Sequence, residues 1–432
     1  MTKNVFVIGM NDLNHERLKR LKGVEDVVFH GVIDPAIVYE VEDYNIPSLL
    51  EIAERQIRAA DVPVDAIIGY MDIPVSTMLP LLAKKFGTRA TSLESLLKCE
   101  HKFWSRTVQR EVIPEHIPAF TAFDPFDDDA LSKIGQSALS FPFFVKPIKS
   151  SGSRLGFRVD NPEDFDFAIE KLRAGVGAVS EPFDYVLDHA EMPADIRKVA
   201  GQYCMAEQII GGRQCTLEGY VYDGKVVPYG VVDSIRYPQV LSFFYYMYPS
   251  KLPQRVQDRM AEIAIKIMEH TGYDDSAFNI EFFWDEVQDK IWLLEINTRL
   301  AQSHCDMFEK VDGTSHQQVA VDIGLGRAPQ MPKREGGYNV AAEFFYRVFF
   351  NNAVASSVPS AEEVAAAQDK VPGTTVAVQM KEGMRLTELP EQDSYSFAVC
   401  CIWMGANTQA SLLWNYERVM KGLNFEFTNI DE

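Results

Sequence analysis

The sequence predicts a mixed chain, α/β at its N-terminal end and α+β beyond it. Three observations carry this. Strands and helices alternate over the first 95 residues. A lysine, Lys146, interrupts the apolar strand "FPFFVKP" and is followed by the small-residue run "SSGSRLG". A hairpin, "AFNIEFFWDEVQDKIWLLEINTR", carries one glutamate in each of its otherwise apolar strands.

Within the first part, "NVFVIGM" (4–10) and "DAIIGYMD" (65–72) read as short buried strands. The amphipathic helices "IPSLLEIAERQIRAA" (46–60) and "VSTMLPLLAKKFG" (75–87) accompany them. Such alternation implies a parallel sheet covered on both faces. The first strand leads into "GMNDLN" rather than G-x-G-x-x-G, and no G-x-x-x-x-G-K-[ST] occurs, so dinucleotide and Walker-type nucleotide sites are both disfavoured. This domain is expected over 1–95.

The stretch 92–111 is expected as one helix, with Thr91 and Glu94 spaced as a capping box. Lys102 and Arg106, four residues apart, share a face. From 135 to about 207 a small α+β unit is expected, with a helix at 161–173 and a long loop over 175–201. Asp223-Gly224 turns a second hairpin within 215–236. A domain over 96–335 contains all of these, and 336–432 forms a C-terminal α+β domain.

Composition narrows the function. With 432 residues and 47% hydrophobic content the chain buries a large core. A net charge of -20, without a basic stripe, argues against nucleic acid as a partner. No run is long enough to span a bilayer, and the first apolar stretch is too short for a signal peptide. The six cysteines form no C-x-x-C pair, which fits a reducing, cytoplasmic setting.

Glu281 and Glu295 are the most informative residues. A carboxylate inside an apolar strand is costly unless a cation satisfies it, and two on adjacent strands repel. Asn297 and Arg299 follow directly. A divalent ion fits such a group, magnesium being the hard cation that takes carboxylate and amide oxygens beside phosphates, with manganese as an alternative. Lys146 has two readings: a lysine snorkelling from an edge strand, or the charge partner of a phosphate-covering loop.

The lysine with its small-residue loop, the "AEQIIGG" strand and the hairpin ending in "EINTR", in this order, resemble the ATP-grasp superfamily. The resemblance implies an ATP-grasp fold with a mobile lid at about 135–207. It implies ATP and magnesium as ligands. Lys102 and Lys146 would hold the nucleotide phosphates, and Ser151, Gly152 and Ser153 would lie in the loop closing over them. Glu207, Gln208 and Ile209 match the adenine-receiving hinge. Gln214 stands where relatives often have a glutamate at the nucleotide. Glu281, Glu295 and Asn297 match the metal ligands, and Arg299 the arginine near the reacting carboxylate.

Within the superfamily, "EINTRLAQSH" is similar to the biotin carboxylase segment, but Ser303 occupies the position of its catalytic glutamate. The loop and the C-terminal region resemble carboxylate–amine ligases of the amino-acid ligase and carnosine-synthase kind. The implied activity is activation of a carboxylate as an acyl phosphate and its joining to an amine, both substrates small and amino-acid-like. A bicarbonate-using enzyme is the alternative, and a nucleotide-binding regulator without turnover is the third. No Ser-His-Asp or Cys-His arrangement points to a covalent enzyme intermediate. Oligomeric state is left open.

Overall fold

Strand Lys3–Ile8 pairs in parallel with Val27–Val32 on one side and Ala66–Ile68 on the other. The expected parallel sheet is therefore present, in three strands. A computed structural model describes residues 2–39, 45–150, 155–199, 201–350, 352–389, 392 and 396–429. Two compact units divide the chain: Met1–Tyr229 with Pro253–Ala301 and Val319–Pro329, and Gly230–Leu252 with Gln302–Gln318 and Gln330–Glu432.

In the first unit the C-terminal end of Ala66–Ile68 opens into the loop Gly69–Pro74. Ligands in open α/β sheets gather outside such strand ends. Next comes a junction of two helices, Leu93–Glu100 and Lys102–Val112, rather than the single expected helix. His101 separates them with extended backbone at ψ 99°. Its Nδ1 accepts the Trp104 backbone N–H at 3.2 Å, so the imidazole caps the second helix and competes with continuation of the first. The start of the first helix also differs from the expected box: Ser92, not Thr91, is the cap, accepting from the Ser95 N–H.

A four-stranded antiparallel sheet follows, in the order Phe120–Phe123, Cys204–Gln208, Phe143–Pro147, Phe157–Val159. Its covering helix runs through Pro162–Leu187, so the part 175–187 of the expected loop is helix. Gly175, Gly177 and Pro182 disfavour helix locally, but Val176, Phe183, Val186 and Leu187 are buried at helical spacing, and burying them outweighs the weak local propensity. Gly175 has a packing reason: a Cβ there would come within 2.9 Å of Leu155.

Strands Arg213–Tyr222, Ser276–Asp285 and Lys290–Asn297 pair antiparallel and carry the chemistry-bearing face. Gly212, at the start of the first, has φ +131°, and a Cβ would meet the Trp284 carbonyl oxygen at 2.4 Å. Only glycine fits that approach. The expected turn at Asp223-Gly224 is present with both φ values positive, 48° and 74°.

The second unit pairs Phe243–Tyr248 with Val340–Val348, which pairs with Phe397–Ala406, which pairs with Thr375–Val378. Tyr245, Phe344, Ile402, Met404 and Leu412 fill its core. The aromatic run from 243 is thus a strand whose alternate residues pack inward. Among the described residues no helix is long and apolar enough to cross a membrane.

Candidate functional site

Glu281 and Glu295 stand directly opposite each other in the hairpin, and Asn279 stands opposite Asn297. The register slips immediately after Glu281, leaving Leu294 as the extra residue of a bulge. Arg106 takes up the carbonyls there, donating Nη1 to Leu293 O at 3.2 Å and Nη2 to Leu294 O at 2.7 Å. The junction helix is thereby fastened to the strand that presents Glu295.

Five cations converge on this face, each against a carboxylate. Lys102 donates to Glu295 Oε1 at 2.9 Å and to the Ser150 carbonyl at 2.8 Å. Lys146 reaches Glu207 Oε2 at 2.5 Å, and Arg106 Nε reaches Glu207 Oε1 at 2.6 Å. Lys149 donates to Glu100 Oε2 at 2.6 Å, and Thr298 Oγ1 donates to the other oxygen of the same carboxylate. Arg299 Nη2 donates to Asp72 Oδ2 at 2.6 Å.

The electrostatics follow from burial and these partners. Burial opposes ionisation of Glu207, but Arg106 and Lys146 prevail and hold it down at about 2. Burial lowers the affinity of Lys102 for its proton, with Glu295 opposing. Lys149 shifts the other way: burial works against its charge, and Glu100 and Asp72 more than compensate. Burial and the charge of Glu295 raise Glu281, although Gln214 Nε2 donates to it at 3.0 Å. For Glu295 the nearby lysines outweigh burial and lower it.

Among the described residues no three His, Cys, Asp or Glu side chains form a metal-holding group. A magnesium ion beside phosphates commonly needs only one or two carboxylates. Glu281 and Glu295, in register, with the Asn297 amide adjacent, fit that requirement. Desolvation and the charge of Glu295 raise the affinity of Glu281 for a proton, a repulsion that a cation would relieve.

Lys102, Lys146, Glu207, Gln214, Glu281, Glu295, Asn297 and Arg299 therefore share one region of the first unit. Gln214 Nε2 donates to Glu281 Oε2. Gln208 is exposed, and its backbone N–H donates to Ala119 O at 2.9 Å. Ile209 is half-buried. Ser151, Gly152 and Ser153 lie outside the described residues. Arg236 and the aromatic strand belong to the other unit.

Sequence reasoning missed Asp72, Glu100, Lys149 and Glu218. Asp72 carried a usable signal, following the parallel strand Ala66–Ile68 at the end where ligands gather. Glu218 is wholly buried, and its charge acts on Arg299 together with those of Asp72 and Glu281. Lys149 lay in plain view, three residues after Lys146.

Residues 139–306 match the ATP-grasp domain family. A D-alanine–D-alanine ligase of Synechococcus sp. (strain CC9605) is 25% identical over 186 residues, 42% of this chain and 47% of that protein. The match thus spans about half of that relative's length. The L-amino acid ligase of Bacillus licheniformis superposes with a TM-score of 0.69 at 16% identity, covering 99% of both chains. The biotin carboxylase domain of Hydrogenobacter thermophilus 2-oxoglutarate carboxylase gives 0.68 at 14% identity, covering 100% of this chain and 92% of that one. At such identities the structural likenesses establish the fold, and that fold is the expected ATP-grasp fold.

Proposed function

From a chain whose residues 139–306 match the ATP-grasp domain family, we propose an ATP-dependent carboxylate–amine ligase. It activates a small, amino-acid-like carboxylic acid as an acyl phosphate and transfers the acyl group to an amine, releasing ADP and phosphate. One observation carries this reading: an in-register, half-buried carboxylate pair, Glu281 and Glu295, lies beside the buried Lys102 in the same unit as Arg299. That set combines a metal seat, a phosphate seat and a carboxylate seat.

Phosphoryl transfer between two anions is limited by their mutual repulsion, so positioned cations are the main catalytic resource. Lys102 and Lys146 bind and orient the nucleotide phosphates. Glu281, Glu295 and Asn297 would hold magnesium, which would supply charge neutralisation beside the phosphates. Arg299 receives the substrate carboxylate at the guanidinium that Asp72 now occupies. Glu207, gripped by Arg106 and Lys146, fixes the end of the strand that leads into the hinge. The lid region, about 135–207, excludes water from the acyl phosphate until the amine attacks.

The bicarbonate alternative needs a base to deprotonate bicarbonate, and a serine hydroxyl, Ser303, stands at that position. The ligase reading has the direct test of pairing L-amino acids in a matrix with magnesium and ATP and measuring ADP. Release that requires an acid and an amine together supports it. Release that no such pair stimulates would refute it.

A further inference from the structure

We infer that Lys149 is a third phosphate-binding lysine, contacting the γ-phosphoryl group during its transfer; this rests on the ligase reading of the same site. Lys149 is buried and charged. An ammonium has three donors, and the hydrogen bond to Glu100 at 2.6 Å uses one. Its charge acts on Glu295 of the carboxylate pair and on Asp72, the partner of Arg299. Lys149 therefore lies within electrostatic reach of both ends of the reaction, the metal seat and the carboxylate seat.

Its anchoring fits that task. Glu100 holds Lys149 with one oxygen and takes the Thr298 hydroxyl with the other. Thr298 sits between Asn297 and Arg299, so the lysine is tied to the backbone that presents the metal-ligand amide and the carboxylate-binding arginine. The neighbouring Ser150 carbonyl is bound by Lys102, and the Lys102 backbone N–H donates to Ile148 O at 3.1 Å. The ammonium is thus fixed before any ligand arrives, as electrostatic preorganisation requires.

In the transfer, the bond from the γ-phosphorus to the β,γ-bridging oxygen breaks and its electron pair leaves with ADP. The bond from that phosphorus to a carboxylate oxygen forms, and no proton moves. Lys149 keeps its proton throughout and lends two N–H donors to the oxygens of the group in flight. Its alternative is to do no more than neutralise Glu100, since a buried ion pair often contributes little beyond satisfying itself.

The test uses the full chain with three variants, Lys149→Met, Glu100→Gln and the two combined. Affinities for ADP and for β,γ-methylene-ATP, each with magnesium, are measured by calorimetry, with thermal stability alongside. Lys149→Met is expected to weaken the ATP analogue about tenfold to a hundredfold, the range of a charge-assisted hydrogen bond. ADP affinity should change less than about twofold, since the contact is to the γ group. Combining both substitutions restores thermal stability, by removing the unpaired buried charge, but not affinity for the analogue. If the double variant regains wild-type affinity for the analogue, Lys149 serves only Glu100 and the inference falls. Unchanged analogue affinity in Lys149→Met also overturns it. A wild-type protein that binds neither nucleotide would instead remove the ligase reading on which it rests.

Discussion

Replacing Glu281 with glutamine removes one charge from a pair that the fold holds face to face. Directly opposed residues of an antiparallel pair have Cβ atoms about 5 Å apart, and at an effective dielectric of about 20 two like charges there repel by about 3 kcal/mol. Lys102, 2.9 Å from Glu295, and the nearby charge of Arg299 cancel part of this. A net gain of about 1–2 kcal/mol remains for the ligand-free variant, a rise of roughly 2–3 °C in melting temperature for a unit of about 290 residues. The amide keeps the side chain's shape and one acceptor oxygen for Gln214, and its NH2 takes the place of the oxygen that Asn297 Nδ2 approaches at 3.4 Å. With magnesium and ATP the order inverts. Saturating ligand stabilises the wild type by about 3 kcal/mol at a hundredfold excess over its dissociation constant, and the variant should gain little of this. Differential scanning fluorimetry with and without magnesium-ATP reads both effects. A ligand-free melting point at or below wild type, together with an undiminished ligand shift, would refute the assignment of Glu281 as one of two opposed charges and a metal ligand.

Lys146→Ala should weaken binding of an ATP analogue severely while the fold survives, because Arg106 still satisfies Glu207; calorimetry showing unchanged affinity would return Lys146 to a snorkelling role. Burial pushes His101 down to about 4, so the unfolded chain takes up the proton first. Its contribution is therefore whole above about pH 6.5 and falls by about 3 kcal/mol as the pH drops to about 4. His101→Asn keeps a capping acceptor and should flatten this loss in denaturant titrations; an identical acid profile would show that His101 is not its source. Amide hydrogen exchange over 140–200 should slow on addition of ADP, and equal protection in both states would sink the lid assignment. Bicarbonate with free biotin should leave ATP uncleaved, and stimulation by them would favour the carboxylase alternative over the ligase.

The parts of the fold legible in the sequence are those where periodicity and turn chemistry agree. The Asp223-Gly224 turn, the first parallel strands and the two-glutamate hairpin are of this kind, because each burial pattern has one sensible partner. The helix through 187 was not legible, since Gly175, Gly177 and Pro182 oppose it locally and only tertiary burial of Phe183 and its neighbours decides the outcome. His101, between the two junction helices, caps the second with its imidazole; nothing in a single sequence says which way a ring nitrogen will bond.

The site divides along the same line. Glu281, Glu295, Asn297 and Arg299 sit close together in the chain, so strand alternation alone gathers them. Asp72, Glu100 and Lys149 reach the same place from other elements, and Arg299 lies 227 residues beyond its partner Asp72. Gln214, a neutral amide where relatives often have a carboxylate, donates to Glu281 from another strand.

The central claim is that a substrate carboxylate takes the phosphoryl group from ATP, and isotope transfer tests it most directly. The acid that supports ADP release in the amino-acid matrix is labelled with oxygen-18 in its carboxyl group and supplied with its amine, magnesium and ATP. Mass analysis of the phosphate should find one labelled oxygen per phosphate, carried over when the amine displaces it from the acyl phosphate. Phosphate released without label, while amide forms or ADP accumulates, would contradict carboxylate activation.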